Sequence, residues 1–251
     1  MARNDTRQRY VMGNVTTGAL LLSGGAFSSD GRAVRRTDRM QNGFARIGGY
    51  LIDAGLDRVA GVSDFGVTIS RLREDGSFLG SVSPLRTGNA NADSGFLRVA
   101  GRAALSPKVG VNANSTGART DVSMNGDAVL GEMSTLASNA MAADVRFQDA
   151  VAKTSRLMLG VAQPLRVGGG TASVTPPSQV LTGPGRYSYL FSRQRYSLTP
   201  SGRERDMTVD YAQKVSGRLR FNLSAMAVRQ PGHDAAAAMG FAGLGGLNFA
   251  F

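Results

Sequence analysis

The last eleven residues, Phe241–Phe251, read FAGLGGLNFAF and decide the class of fold. Large apolar residues recur at every second or third position, and the stretch closes on an aromatic residue. A period of two predicts a β-strand with one heavier, apolar face. Two interpretations fit such a strand: a core strand of a soluble β-sandwich, or the closing strand of a membrane β-barrel.

The residues before this strand repeat the alternation and predict a tight hairpin with one apolar and one charged face. Its strands lie in DMTVDYAQKV (206–215) and GRLRFNLSAMAVRQ (217–230), joined by a turn at Ser216 and Gly217. The apolar face carries Met207, Val209, Tyr211, Leu219, Phe221 and Leu223. The charged face carries Asp206, Asp210, Arg218 and Arg220.

Similar alternation further upstream predicts about twelve strands in a single domain over residues 1–251. The clearest runs are SDFGVTIS (63–70), FLRVAGRAAL (96–105), NAMAADVRF (139–147) and RLMLGVAQPLRV (156–167). Residues 1–9 are expected to form an unstructured or lumenal N-terminal segment. Gly, Pro and small polar residues predict four long loops. These loops are Gly24–Gly43, Arg86–Gly95, Gly168–Arg186 and Arg229–Ala238.

The length and composition of the strands favour a barrel over a sandwich. Strands of about nine to twelve residues have the length that a tilted membrane strand requires. Their apolar faces are rich in Gly and Ala, whereas their polar faces carry both Arg and Asp, which can pair across a lumen. We therefore expect an all-β fold, a closed antiparallel transmembrane β-barrel of about twelve strands. The residues expected to face its lumen are Asp144, Arg146, Arg156, Asp206, Asp210, Arg218 and Arg220.

The net charge of +11 predicts an anionic partner such as nucleic acid, anionic lipid or lipopolysaccharide. Nucleic-acid-binding proteins concentrate basic and aromatic residues on one element, but here the arginines are spread along the whole chain. The distribution therefore favours membrane lipid or lipopolysaccharide and gives no indication of nucleic acid. No run approaches the roughly 18 apolar residues that a transmembrane helix needs.

Cysteine and histidine, the two residue types that most often bind zinc, are nearly absent. The chain has no cysteine and one histidine, His233, within QPGHD. A histidine in a Pro-Gly loop is expected to be an exposed loop residue, and a lone histidine excludes the usual zinc sites. No GxSxG motif accompanies it. We therefore expect no enzymatic activity, no cofactor and no metal.

Three segments resemble one protein family. They are LGVAQPLRVGGGTASVTPP (Leu159–Pro177), YSLTPSGRERDMTVDYA (Tyr196–Ala212) and RQPGHD (Arg229–Asp234). Over roughly Met133–Phe251 the chain resembles the C-terminal β-barrel, or translocator, domain of subtilisin-type autotransporters of alphaproteobacteria. The resemblance implies a twelve-stranded barrel in the bacterial outer membrane, which acts as translocator and anchor for an N-terminal passenger polypeptide. The resemblance implies that this passenger lies outside the present sequence.

The resemblance also gives the final strand a role in assembly. In the related proteins, the barrel-assembly machinery recognises a glycine, a hydrophobic residue and a terminal aromatic residue in this strand. The similar residues here are Gly246, Phe249 and Phe251, in that order. Leu244 departs from the pattern, because a polar residue is usual at its position. The implied partners are this machinery, the passenger and membrane lipid. Two alternatives stay open: a stand-alone outer-membrane barrel, such as a small porin or structural protein, and a soluble, basic β-sheet binding protein.

Overall fold

The computed structural model describes residues 7–17, 20–33, 43–59, 62–75, 89–125, 130–183 and 186–249. These residues form sixteen β-strands and a single 3₁₀ turn at Pro231–His233. The prediction of an all-β fold is confirmed. Within the described residues, no helix is both long and apolar enough to span a membrane.

The strand bounds, in chain order, are as follows. They are β1 (Arg7–Thr17), β2 (Leu20–Ala33), β3 (Gly43–Val59), β4 (Val62–Asp75), β5 (Asn89–Ser106), β6 (Val109–Asn125), β7 (Leu130–Met133), β8 (Leu136–Gln148), β9 (Ser155–Gly169), β10 (Thr171–Val174), β11 (Pro177–Gly183), β12 (Arg186–Phe191), β13 (Gln194–Ser197), β14 (Arg205–Lys214), β15 (Leu219–Arg229) and β16 (Gly240–Phe249).

Eleven of these strands form one large antiparallel sheet in the order β1-β2-β3-β4-β5-β6-β8-β9-β14-β15-β16. The order follows the chain, so the sheet is a meander in which each strand pairs with the next one of the sheet. Two small sheets, β13-β10-β7 and β11-β12, come from the connections. The main sheet thus has eleven strands where about twelve are predicted. Because eleven is odd, the strands at its two edges, β1 and β16, run in the same direction.

The connections of the main sheet differ in length between its two ends. Short connections, which define the short-turn end, are residues 18–19, 60–61, 107–108, 149–154 and 215–218. Long connections, which define the long-loop end, are residues 34–42, 76–88, 126–135, 170–204 and 230–239. Two short turns meet where Lys108 Nζ lies 3.3 Å from Asp149 Oδ2. A hydrogen bond from the Thr154 N–H, followed by one from the Lys108 ammonium, lowers the pKa of Asp149.

Several predicted loops contain strands, which corrects the sequence-based boundaries. Within Gly24–Gly43, β2 continues to Ala33 and β3 begins at the last residue. Within Arg86–Gly95, β5 begins at Asn89, and Gly168–Arg186 contains β10 and β11. Glycine and serine weaken a strand pattern without ending it, because the backbone hydrogen bonds of a sheet need no side chain.

Two smaller boundaries also differ from the predictions. The turn between β14 and β15 spans residues 215–218 rather than Ser216 and Gly217 alone, and the Val215 N–H donates to the Leu219 carbonyl at 2.9 Å. Of the predicted N-terminal segment, residues 7–9 belong to β1. Residues 1–6 lie outside the described part of the chain.

Candidate functional site at the two faces of the sheet

The register of the main sheet separates apolar from polar side chains. Residues directly opposite each other in an antiparallel pair share a face. Met207 lies opposite Val161 and Ala227, and this apolar face extends over the sheet. It includes Ile52, Val67, Ile69, Leu97, Val99, Val145, Leu159, Val161, Met207, Val209, Leu223, Phe241 and Leu247. The polar face includes Asp53, Asp64, Thr68, Arg98, Arg102, Asn112, Asp144, Arg146, Asp206, Asp210 and Ser224.

Exposure of the two faces is inverted relative to a soluble protein. Ile69 and Val161 on the apolar face are 54% and 59% exposed. By contrast, the fully buried side chains of Glu74 and Ser94 are polar and lie on the polar face. Soluble proteins bury large apolar side chains and rarely expose contiguous apolar surface. Over the described residues, the apolar face is thus left exposed to the surroundings of the chain.

Hydrogen bonds and ion pairs link neighbouring strands across the polar face. Thr68 Oγ1 donates to Asp53 Oδ1 at 2.7 Å, which joins β4 to β3. Asn112 Nδ2 of β6 donates to Asp144 Oδ1 of β8 at 2.6 Å, and Arg146 Nε, within the same strand β8, lies 3.4 Å from that oxygen. Further pairs are Ser224 with Asp210 at 2.5 Å and Arg102 with Asp64 at 3.9 Å. Each of these carboxylates thus has a donor or a cation beside it on the same face of the sheet.

Six of the seven charged residues expected to face a lumen lie in strands and share the polar face. They are Asp144, Arg146, Arg156, Asp206, Asp210 and Arg220. The seventh, Arg218, is exposed and belongs to the turn before β15, where its N–H donates to Ser216 Oγ. One carboxylate oxygen of Asp206 is buried and has no hydrogen-bond partner within the described residues.

The three segments that carry the family resemblance pack together at the long-loop end. Arg166 Nε of β9 donates to the Gly202 carbonyl at 2.9 Å. The Glu204 N–H donates to His233 Nδ1 at 2.9 Å, and His233 Nε2 lies 3.1 Å from the Leu165 carbonyl. We call Leu165, Arg166, Gly202, Glu204 and His233 the three-segment cluster. Sequence reasoning does not predict these contacts, since the partners of His233 are 29 and 68 residues away.

The environment of His233 corrects the expectation of an exposed loop residue, because its side chain is buried. Nδ1 accepts a hydrogen bond and Nε2 donates one, an assignment that corresponds to a neutral ring. Gln230, Gly232 and His233 all have positive φ, which is unusual for two of these residue types. The Gly232 N–H donates to Glu204 Oε2 at 2.5 Å and helps to hold this conformation. Because both ring nitrogens bind backbone groups, we assign His233 a structural role.

Substitution of Gly202 tests the packing of the three-segment cluster. A Cβ at this position would lie 2.6 Å from the backbone nitrogen of Ala235. We therefore expect Gly202→Ala to lower the free energy of unfolding by about 1–3 kcal/mol. In the control Gly217→Ala the new Cβ meets no heavy atom within 4 Å, and we expect a change within about 0.5 kcal/mol. Urea unfolding followed by circular dichroism measures both, and equal stability would contradict the close packing.

The residues of the expected assembly signal lie in or beyond β16. Phe249 is exposed on the apolar face, opposite Leu219. Gly246 lies on the polar face, opposite Asn222. Phe251 lies outside the described residues, and the assembly signal as a whole stays a prediction.

Comparison with known proteins assigns no family to this chain. No protein-family model matches it, and no curated protein gives a significant match. The two faces of the sheet and the three-segment cluster are the features of the chain that bear on its function.

Proposed function

We propose that this chain is a bacterial outer-membrane β-barrel that acts as an autotransporter-type translocator and anchor for an N-terminal passenger polypeptide. The observation that carries the membrane location is the inverted exposure of the two faces. In a bilayer, acyl chains would surround the apolar face, and the polar face would line a hydrated lumen. The short turns would then face the periplasm and the long loops the cell exterior, as in bacterial outer-membrane barrels.

Closure of the barrel follows from the cost of unpaired backbone groups in lipid. Each unpaired N–H or C=O costs several kcal/mol there, so a spanning sheet needs both edges paired. Val11 and Met12, on opposite faces of β1, are 75% and 78% exposed, as expected at an uncovered edge. Since β1 and β16 run in the same direction, an antiparallel closure takes a twelfth strand between them. This number agrees with the family resemblance.

The translocator role is supported by the resemblance and by the chemistry of the polar face. The three segments that carry the resemblance are joined by hydrogen bonds at the long-loop end. The paired Asp, Asn and Arg side chains on the polar face suit a hydrated passage for a polypeptide. Membrane lipid, lipopolysaccharide and the barrel-assembly machinery are the other partners of such a barrel.

Flotation with lipid vesicles tests the membrane location. We expect urea-unfolded chain, diluted into phosphatidylcholine vesicles, to gain β-sheet circular dichroism and to float with the vesicles through a density gradient after an alkaline carbonate wash. The exposed apolar face gives the reason, because it is stable only against acyl chains. The same dilution into buffer alone is the control, and we expect aggregation. A chain that is folded and monomeric in buffer would contradict the proposal and favour a soluble β-sheet protein.

A further inference from the structure

A groove on the apolar face, close to the long-loop end, carries two arginines. Its volume is about 530 Å³. The residues that define this arginine groove are Tyr50, Ile69, Arg71, Gly95, Leu97 and Arg119. The groove is open because two glycines line it: a Cβ at Gly95 or at Gly117 would meet no heavy atom within 4 Å.

The two arginines stand on either side of Gly95 in one row across three strands. Gly95 of β5 lies opposite Arg71 of β4 and opposite Arg119 of β6. Strands two places apart are about 10 Å from each other, which leaves room for a phosphate between the two guanidinium groups. Arg71 donates from Nε and from Nη2 to the two carboxylate oxygens of Asp93, which leaves three of the five N–H donors of its guanidinium. Within the described residues, Arg119 makes no ion pair.

The rows on each side of the arginines have opposite character. Toward the short-turn end, the next row holds the exposed side chains Ile69 and Leu97. Toward the long-loop end, the next row holds Arg73, Asp93 and Asp121. Along the strands from Ile69 and Leu97, the row of two arginines therefore comes first, and a row with two aspartates and one further arginine follows it. An amphiphile with apolar chains joined to a phosphate matches this order.

We propose that the arginine groove binds the phosphate of an outer-leaflet lipid whose acyl chains lie along Ile69 and Leu97. The inference rests on the proposed membrane location. Arginine pairs bind phosphate oxygens through several charge-assisted hydrogen bonds. Gly95 admits the phosphate because it has no side chain. Tyr50, next to Arg71 in the same row, supplies the aromatic ring that favours the boundary between acyl chains and headgroups.

Titration of the detergent-folded protein with diphosphorylated lipid A, followed by native mass spectrometry, tests this site. We expect Arg119→Gln to raise the dissociation constant about tenfold, because one charge-assisted contact is lost. Gly95→Leu should have a similar effect by filling the groove. The controls are Arg218→Gln in a short turn and Gly245→Leu, where a Cβ also meets open space on the apolar face. Both controls should bind as the unsubstituted chain does.

Two further measurements identify the ligand chemistry and the source of a failure. The affinity of the unsubstituted chain for dephosphorylated lipid A should be no higher than the affinity of Arg119→Gln for diphosphorylated lipid A. Inorganic phosphate should not displace the lipid from the unsubstituted chain. Three results would each overturn the lipid site. The unsubstituted chain could bind both lipids equally well, Arg119→Gln could bind lipid A as tightly as the unsubstituted chain does, or inorganic phosphate alone could displace the lipid.

Vesicle flotation then identifies which proposal has failed. If flotation is intact, the lipid site is wrong and the membrane location stands. Loss of flotation by the unsubstituted chain would instead contradict the membrane location.

Discussion

Replacing Leu223 with arginine is expected to lower the free energy of unfolding in lipid vesicles by about 2–4 kcal/mol. Leu223 lies near the middle of β15 on the apolar face, opposite Tyr211 and Gly245, and its side chain is exposed. A guanidinium in the acyl region of the bilayer loses its hydration, and this cost is largest at mid-membrane. Urea unfolding of the vesicle-inserted protein, followed by circular dichroism, measures the change.

The adjacent residue gives a matched control for the assignment of faces. Asn222 lies on the polar face, opposite Ala212 and Gly246. Asn222→Arg adds the same charge one residue away, but on the side that would face the hydrated lumen, and we expect a change within about 1 kcal/mol. Similar losses in the two variants would contradict the assignment of the apolar face to lipid. A small loss in Leu223→Arg would have the same meaning.

The sequence predicts the all-β fold and the faces of the C-terminal hairpin because both depend on local alternation. Val209 lies opposite Ala225, and Asp210 opposite Ser224, as the period of two requires. Strand limits are less predictable, since β2 and β5 continue through Gly- and Ser-rich stretches that resemble loops. There the ladder of backbone hydrogen bonds to two neighbouring strands outweighs the weak propensity of the individual residues.

The functional sites are less predictable than the fold because they depend on long-range register. Which face of the sheet is exposed does not follow from alternation, since a sandwich and a barrel share the same pattern. The burial of His233 depends on Glu204 and Leu165, which local sequence does not connect to it. The arginine groove likewise depends on the register that sets Gly95 between Arg71 and Arg119.

Cysteine pairs are expected to show that β1 and β16 are not direct neighbours in the membrane. The chain contains no cysteine, so an introduced pair supplies the only thiols. Adjacent strands lie about 4.8 Å apart, whereas a strand between them increases the separation to about 10 Å. A disulfide needs Cα atoms within about 7 Å. A twelfth strand between the two edges therefore prevents the bond.

The test combines one cysteine on β1 with one on β16, all on the apolar face. The positions are Val11, Gly13 and Val15 on β1, and Gly243, Gly245 and Leu247 on β16. The control pair Ala225→Cys and Gly243→Cys joins directly opposite residues of β15 and β16 and should oxidise almost completely. We expect no disulfide in any β1–β16 pair.

A disulfide between the edges would mean that eleven strands close through one parallel pair, as in the 19-stranded mitochondrial channel, and would contradict the twelfth strand. If no disulfide forms, amide exchange of the vesicle-inserted protein separates a paired edge from an uncovered one. Unpaired amides exchange fast. If the amides of β1 and β16 exchange as slowly as those of β15, each edge therefore has a partner strand. Fast exchange along both edges would contradict closure, since an uncovered edge is the arrangement that a bilayer excludes.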